Sequence, residues 1–204
     1  MRDLVLATGN PGKVREIRRV LDGLPIALLS LADLDPVPEP EENGRTFAEN
    51  ARAKALAYAA ALGRVVVAED SGLEIDALDG APGVYSARFG LPDAVTYPQK
   101  FEVIYRTLRE RVGRVESSAR FVCRLALARP GQVLFEATGT VEGHIVEPPR
   151  GEGGFGYDPI FYYPPFGQTL AEAPAGRKEE VSHRGQAFRQ LRDYLEEAGS
   201  GSKL

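Results

Sequence analysis

The sequence predicts an α/β fold with a mixed β-sheet, and three features carry that prediction. Short apolar runs pass through glycine-rich turns into amphipathic helices, as strands joined by helical crossovers do. Two long strand-like runs, 115–129 and 132–142, face each other across the tight turn Pro130-Gly131, as a hairpin does. The composition, 43% hydrophobic and 26% charged over 204 residues, supplies material for a sizeable core in one soluble domain.

The elements follow in order. Leu4-Val5-Leu6-Ala7 reads as a buried strand that runs into the turn Thr8-Gly9-Asn10-Pro11-Gly12. Val14, Ile17, Val20 and Leu21 recur at helical spacing, and Gly23 and Pro25 end that helix. Residues 33–45, rich in Pro, Asp and Glu, read as a loop. Thr46 with Glu49 forms a capping-box pattern that opens an alanine-rich helix from Phe47 to Leu62, stopped by Gly63. Val65-Val66-Val67-Ala68 is a second buried strand, expected to end in the turn-forming cluster Glu69-Asp70-Ser71-Gly72. Phe101, Ile104, Tyr105, Leu108 and Val112 mark another amphipathic helix. In the first hairpin run, Ala119, Phe121, Cys123, Leu125 and Leu127 can share one face. A final helix is expected from Ser182, with Ala187, Phe188, Leu191 and Leu195 turned inward. The domain is expected over 1–198, with 199–204 as a flexible tail.

Charge and cysteine content narrow the function. The net charge is −4 and no long basic run is present, which speaks against a nucleic-acid partner. Small phosphorylated ligands fit, because a few local cations suffice for them. A single cysteine, Cys123, excludes an internal disulfide framework and reads as a small buried hydrophobe. No apolar run reaches the ~20 residues of a membrane helix. The opening Met1-Arg2-Asp3 lacks signal-peptide anatomy, so a cytoplasmic location is expected.

Five constellations can carry chemistry, and each admits a structural reading too. Thr8-Gly9-Asn10-Pro11-Gly12-Lys13 places backbone N–H groups, a helix N-terminus and an ammonium where a phosphate can bind, or is a strand–helix turn that needs glycines. Its spacing is not that of the common GxxxxGK[ST] loop. Glu69 and Asp70, with Glu41 and Glu42 in the preceding loop, offer hard oxygen ligands for Mg²⁺ and a base for an attacking water, or are surface acids. Asn50 and Lys54 share a helix face at i, i+4. Gly153-Gly154-Phe155-Gly156-Tyr157-Asp158-Pro159 can expose a stacking ring beside a carboxylate, or bury an aromatic in a turn. Lys178 and Ser182-His183-Arg184 put basic residues in a first helical turn, against the dipole preference, a conflict that an anion or a base carbonyl resolves. His144 reads as a strand-surface residue.

Together these stretches resemble the inosine/xanthosine triphosphate pyrophosphatase family. The resemblance rests on Ala7–Lys13, Thr46–Ala51, Glu69–Leu73, Gly80–Arg88, Gly154–Pro159 and Ser182–Arg184, in family order along nearly the whole chain. It implies two lobes around a long curved mixed sheet with flanking helices and the active site in the central cleft. It implies a homodimer that uses Mg²⁺ to split nucleoside triphosphates between the α- and β-phosphates, with deaminated purines (ITP, dITP, XTP) preferred. By motif match, Thr8, Gly9, Asn10, Pro11, Gly12 and Lys13 serve the triphosphate. Asp70 is the metal-associated base, with Ser71 beside it and Glu42 as the second metal-side carboxylate. Phe155, Gly156, Tyr157, Asp158, Lys178, His183 and Arg184 form the base and sugar pocket. Ser86-Ala87-Arg88 supports either the cleft or a dimer contact.

Overall fold

The structure is a computed structural model that describes residues 3–90 and 96–200. It contains a seven-stranded mixed sheet in the order β2-β1-β3-β4-β5-β6-β7. The strands are β1 (Asp3–Leu6), β2 (Ala27–Ser30), β3 (Val66–Ile75), β4 (Ser117–Arg129), β5 (Gln132–Ile145), β6 (Phe161–Tyr163) and β7 (Gln168–Thr169). The helices are α1 (Pro11–Val20), α2 (Phe47–Leu62), α3 (Tyr97–Val112), α4 (Ala175–Val181) and α5 (His183–Ser200). Strand β1 pairs in parallel with both β2 and β3, whereas β5/β6 and β6/β7 are antiparallel. The predicted α/β class and mixed sheet are therefore present.

The chain divides into two compact units. One holds Met1–Asp70, Cys123–Gly139 and His183–Leu204; the other holds Ser71–Val122 and Thr140–Ser182. In the first unit the period-two rule sorts the strand residues between two faces. Leu4, Leu6, Val67, Cys123, Leu125 and Leu127 join Val14 and Ile17 of α1 and Ala187, Phe188, Leu191 and Leu195 of α5 in one core. Val5, Val66, Ala68, Ala126 and Ala128 pack instead with Ala51, Ala55, Tyr58 and Ala59 of α2. The alanine-rich helix thus lies close to a strand face of small residues. The second unit buries Phe101, Ile104, Tyr105 and Leu108 of α3 against Leu73, Ile75, Phe121, Ile145 and Phe161.

Helix limits follow local chemistry. Thr46 caps α2 by accepting from the Glu49 amide, and Gly63 closes it at φ 63°, in the left-handed region glycine tolerates. Asn10 caps α1, and the Pro130-Gly131 turn joins β4 to β5 as expected.

Several expectations are corrected. Strand β3 does not stop at Ala68; it continues through Glu69-Asp70-Ser71-Gly72 to Ile75. The side chains of Glu69 and Asp70 find partners there, and Gly72 lets Ser86 approach closely enough for its Oγ to accept from the Leu73 amide at 2.9 Å. Val112 is exposed at 43%, at the last residue of α3 rather than on its buried stripe. The short β2, β6, β7 and α4 were not read from the sequence, being too brief for a periodic signal. Helix α5 runs through Ser200, two residues into the expected tail, and 201–204 lie outside the described residues. Among the described residues no helix is long and apolar enough to cross a membrane.

Gly139 in β5 makes the tightest of the helix–strand approaches in the first unit. A Cβ there would lie 1.9 Å from the His183 carbonyl oxygen at the start of α5. Gly139→Ala is expected to cost about 1–3 kcal/mol by overpacking. Urea denaturation checks this, and an unchanged midpoint would mean that α5 yields at no cost.

Candidate functional site

The first unit gathers most of the predicted acidic and basic residues into two linked clusters. Glu69, on β3, is buried. Its Oε1 lies 2.6 Å from Lys13 Nζ and 3.3 Å from Arg184 Nη2, and the Cys123 thiol donates to its Oε2 at 3.4 Å. Arg184 Nη1 also reaches Glu16 Oε2 at 2.8 Å. Burial pushes the Glu69 carboxyl up, but Arg184 and Lys13 outweigh it and hold the group well below its ordinary value. Burial pushes the Cys123 thiol up, and the Glu69 charge adds to this, so the thiol stays protonated.

The second cluster surrounds Asp70. The Asn50 side chain donates to Asp70 Oδ2 at 2.8 Å and accepts from the Gly44 amide at 2.8 Å, so its amide orientation is fixed. Gly44 is needed there, since a Cβ would sit 2.5 Å from Asn50 Oδ1. Lys54 Nζ lies 2.8 Å from Glu42 Oε1 and 4.0 Å from Asp70 Oδ1. Burial raises the Asp70 carboxyl above its ordinary value against the pull of Lys54 and Asn50, and the Glu42 and Glu69 charges raise it further. A carboxylate raised in this way is a better proton acceptor than a solvated one.

Among the described residues no group of three or more acidic, histidine or cysteine side chains could hold a metal ion on its own. Mg²⁺ does not require one, because it takes one or two carboxylates and completes its shell with water and phosphate oxygens. Glu42 and Asp70 meet that description. Their oxygens already flank one cation, the Lys54 ammonium.

The Thr8–Lys13 loop differs from expectation. Asn10 Oδ1 accepts from the Gly12 and Lys13 amides at 2.9 and 3.2 Å, and Thr8 Oγ1 accepts from the Asn10 amide at 3.1 Å. The helix amides expected to point outward are thus taken by the Asn10 cap. Gly9, Asn10, Pro11 and Gly12 remain exposed, and Lys13 is partly so.

In the second unit the predicted aromatic loop is formed. Phe155 is 57% exposed, and Lys178 Nζ stands 4.2 Å from its ring centroid. Asp158 is buried, accepts from the Phe155 amide at 2.6 Å and is paired with Lys178. Gly154 and Gly156 take φ 72° and 66°, which a β-carbon would strain. Tyr157 is buried, and its hydroxyl donates to the Ser86 carbonyl at 2.8 Å, so it supports the loop from below. Ser71 follows Asp70 in β3 and is partly buried.

Two expectations change here. Arg184 was expected to face a base. It is 2% exposed, and Glu16 and Glu69 absorb its charge, which resolves the conflict between a cation and a helix N-terminus. Asn50 and Lys54, read as sharing one helix face, do so and hold Asp70 and Glu42. Cys123, expected to behave as a plain hydrophobe, is buried but also donates to Glu69. His183 opens α5 and is partly buried; His144 lies on β5, partly buried, opposite Tyr162. Ser86 is buried and serves the β3 backbone, and Arg88 stacks over Tyr85. Glu16 carries no local signal for its role, since its partner Arg184 lies 168 positions away.

The chain is similar to known proteins along nearly its whole length. A family model described as the Ham1 family matches residues 4–194. A dITP/XTP pyrophosphatase of Geobacter sulfurreducens is 47% identical, with 96% of this chain and 97% of that protein covered. One from Exiguobacterium sp. is 49% identical, with coverage of 92% and 94%. A solved HAM1 protein from Coxiella burnetii aligns with a TM-score of 0.90 at 39% identity, covering 97% of this chain and 100% of that one.

Glu69 is the residue whose loss should disturb the first unit most. Glu69→Gln leaves buried Arg184 with one acid fewer, and removing one partner of a buried pair costs about 3–5 kcal/mol. Chemical denaturation measures it; a loss below ~1 kcal/mol would show that Arg184 is neutralised without Glu69.

Proposed function

This chain belongs to the Ham1 family, and we propose that it hydrolyses deaminated purine nucleoside triphosphates (dITP, ITP and XTP) to the monophosphate and pyrophosphate. The observation that carries this reading is the Asp70 cluster: a raised carboxylate, held at one oxygen by Asn50, next to a second carboxylate and a cation. The names of the relatives support the reaction and the substrate class. The biological role is removal of damaged precursors from the nucleotide pool.

The chemistry assigned to the residues follows from their surroundings. Asp70 takes the proton of the attacking water or orients that water toward the α-phosphorus; Asn50 keeps the accepting carboxylate aligned. Lys13, tethered to Glu69 yet partly exposed, offers its ammonium to the phosphates. Lys54 balances the charge of Glu42 and Asp70. Positioning and electrostatics account for most of the acceleration in such phosphate chemistry. Glu42 and Asp70 are the residues that would hold Mg²⁺, which would supply positive charge to the phosphate oxygens. The exposed ring of Phe155 is assigned to base stacking, and Asp158 with Lys178 to fixing that loop and its polar contacts. His183 or a backbone N–H that donates to O6 would favour bases with a 6-oxo acceptor over adenine, whose amino group would leave it unpaired.

A homodimer in the cytoplasm completes the reading; both rest on the family resemblance and the ordinary soluble composition. Sedimentation of the purified chain at a mass other than twice 22.1 kDa would contradict the first.

Pyrophosphate release tests the function directly. Release is expected from dITP, ITP and XTP, to be far slower from ATP, and to be lost when a chelator removes Mg²⁺. Equal rates on ATP, or full activity in chelator, would count against the base preference or the metal respectively. Asp70→Asn should lower turnover by about 10²–10⁴-fold while nucleotide binding stays measurable. Near-normal turnover would remove Asp70 from the role of base.

A further inference from the structure

Two of the exposed large hydrophobic residues in the second unit, Phe155 and Tyr97, lie next to Gly156. Phe155 precedes it in the chain. Tyr97, the first residue of α3, meets it through space, since a Cβ on Gly156 would lie 3.6 Å from the Tyr97 Cε1, Cζ and Oη atoms. Tyr97 is 39% exposed. Its ring is nonetheless held from several directions: the Lys100 ammonium stands 4.7 Å from its centroid, Tyr157 meets it at 5.3 Å with an interplanar angle of 89°, and Phe101 packs at 6.4 Å. Lys100 is itself buried and donates to the Ala87 carbonyl, so it cannot swing away freely. Thus both exposed rings beside Gly156 carry an ammonium, Lys178 on Phe155 and Lys100 on Tyr97.

A solvent-exposed aromatic normally retains freedom about its side-chain bonds. One fixed in place while more than a third exposed has already lost the entropy that binding a flat ligand would cost. Its exposed surface adjoins the loop that the proposed function assigns to the base. Burial raises the Tyr97 phenol above its ordinary value, with the Asp158 charge adding to this, so the ring stays neutral at working pH. A neutral phenol does not repel an electron-rich oxopurine.

We propose that Tyr97 is a second aromatic contact for the purine base, a binding and specificity residue alongside Phe155, with Lys100 as the group that locks it. The proposal rests on the substrate class assigned above. It implies ground-state binding shared with the transition state, so its loss should appear in KM and leave kcat unchanged.

The test compares Tyr97→Leu, Tyr97→Phe and the wild-type protein on dITP and XTP with Mg²⁺, each variant's fold being checked by thermal melting. Leucine still packs against Tyr157 and Phe101 but has no aromatic face. Base–aromatic stacking predicts a KM increase of roughly tenfold or more for Tyr97→Leu. Tyr97→Phe should stay within about threefold, since the ring remains. Unchanged KM in a folded Tyr97→Leu, or a fall in kcat at constant KM, would overturn the proposal while leaving the proposed function intact. No turnover of either substrate by the wild-type protein would instead overturn the proposed function, and this inference with it. Should Tyr97→Leu fail to fold, Lys100→Met provides the second reading. Releasing the ring should raise KM several-fold without altering kcat, and an unmoved KM would overturn the proposal.

Discussion

The buried carboxylate of Glu69 is the interaction on which the first unit depends. A carboxylate on a central strand is tolerable only if opposite charge meets it there. Lys13 comes from the start of α1, Arg184 from the start of α5, and Cys123 from β4. One side chain therefore ties three other segments to β3, and the same strand carries Asp70 in the next position. Arg184 extends the tie to Glu16, which closes a loop between α1 and α5. Fixing these ends also fixes the exposed Gly9–Gly12 turn that lies between β1 and α1.

Asp70 occupies a different electrostatic setting from its neighbour. Glu69 sits between two cations and is held ionised at low pH. Asp70 is desolvated, flanked by two other acids and relieved by one lysine and one amide, so it is raised. Adjacent acids on one strand are thus pushed apart in proton affinity, the pattern by which a protein separates a structural acid from a reactive one. Asn50 explains why the helix cap at Thr46 matters beyond α2 itself. The cap sets where α2 begins, and Asn50 in its first turn points at Asp70 while Gly44 passes close enough to hold its other end.

Much of this was legible in the sequence, and the exceptions have physical causes. Helix α2 was read at its true limits because Thr46, Glu49 and Gly63 are strong local signals at both ends. The inward faces of α1 and α5 were legible because burial imposes their period. The continuation of β3 through Glu69-Asp70-Ser71-Gly72 was not, since these residues favour turns locally and stay in the strand only through partners distant in sequence. The destination of Arg184 was hidden for the same reason: its two acids lie on α1 and β3, 168 and 115 positions away. The roles proposed for Asp70, Phe155 and Asp158 come from motif order, and those for Glu42 and Lys178 from the resemblance beyond the quoted motifs; both record chemistry without showing contacts. Tyr97 is not legible in the sequence because a single aromatic at a helix start carries no pattern; only its packing beside Gly156 marks it.

The central claim is that this chain cleaves deaminated purine triphosphates by water attack at the α-phosphorus, with Asp70 acting on that water. Hydrolysis of dITP in heavy-oxygen water, followed by mass analysis of both products, tests it most directly. The account predicts one heavy oxygen in the monophosphate and none in the pyrophosphate released. Label in the pyrophosphate, or release of orthophosphate in its place, would contradict it.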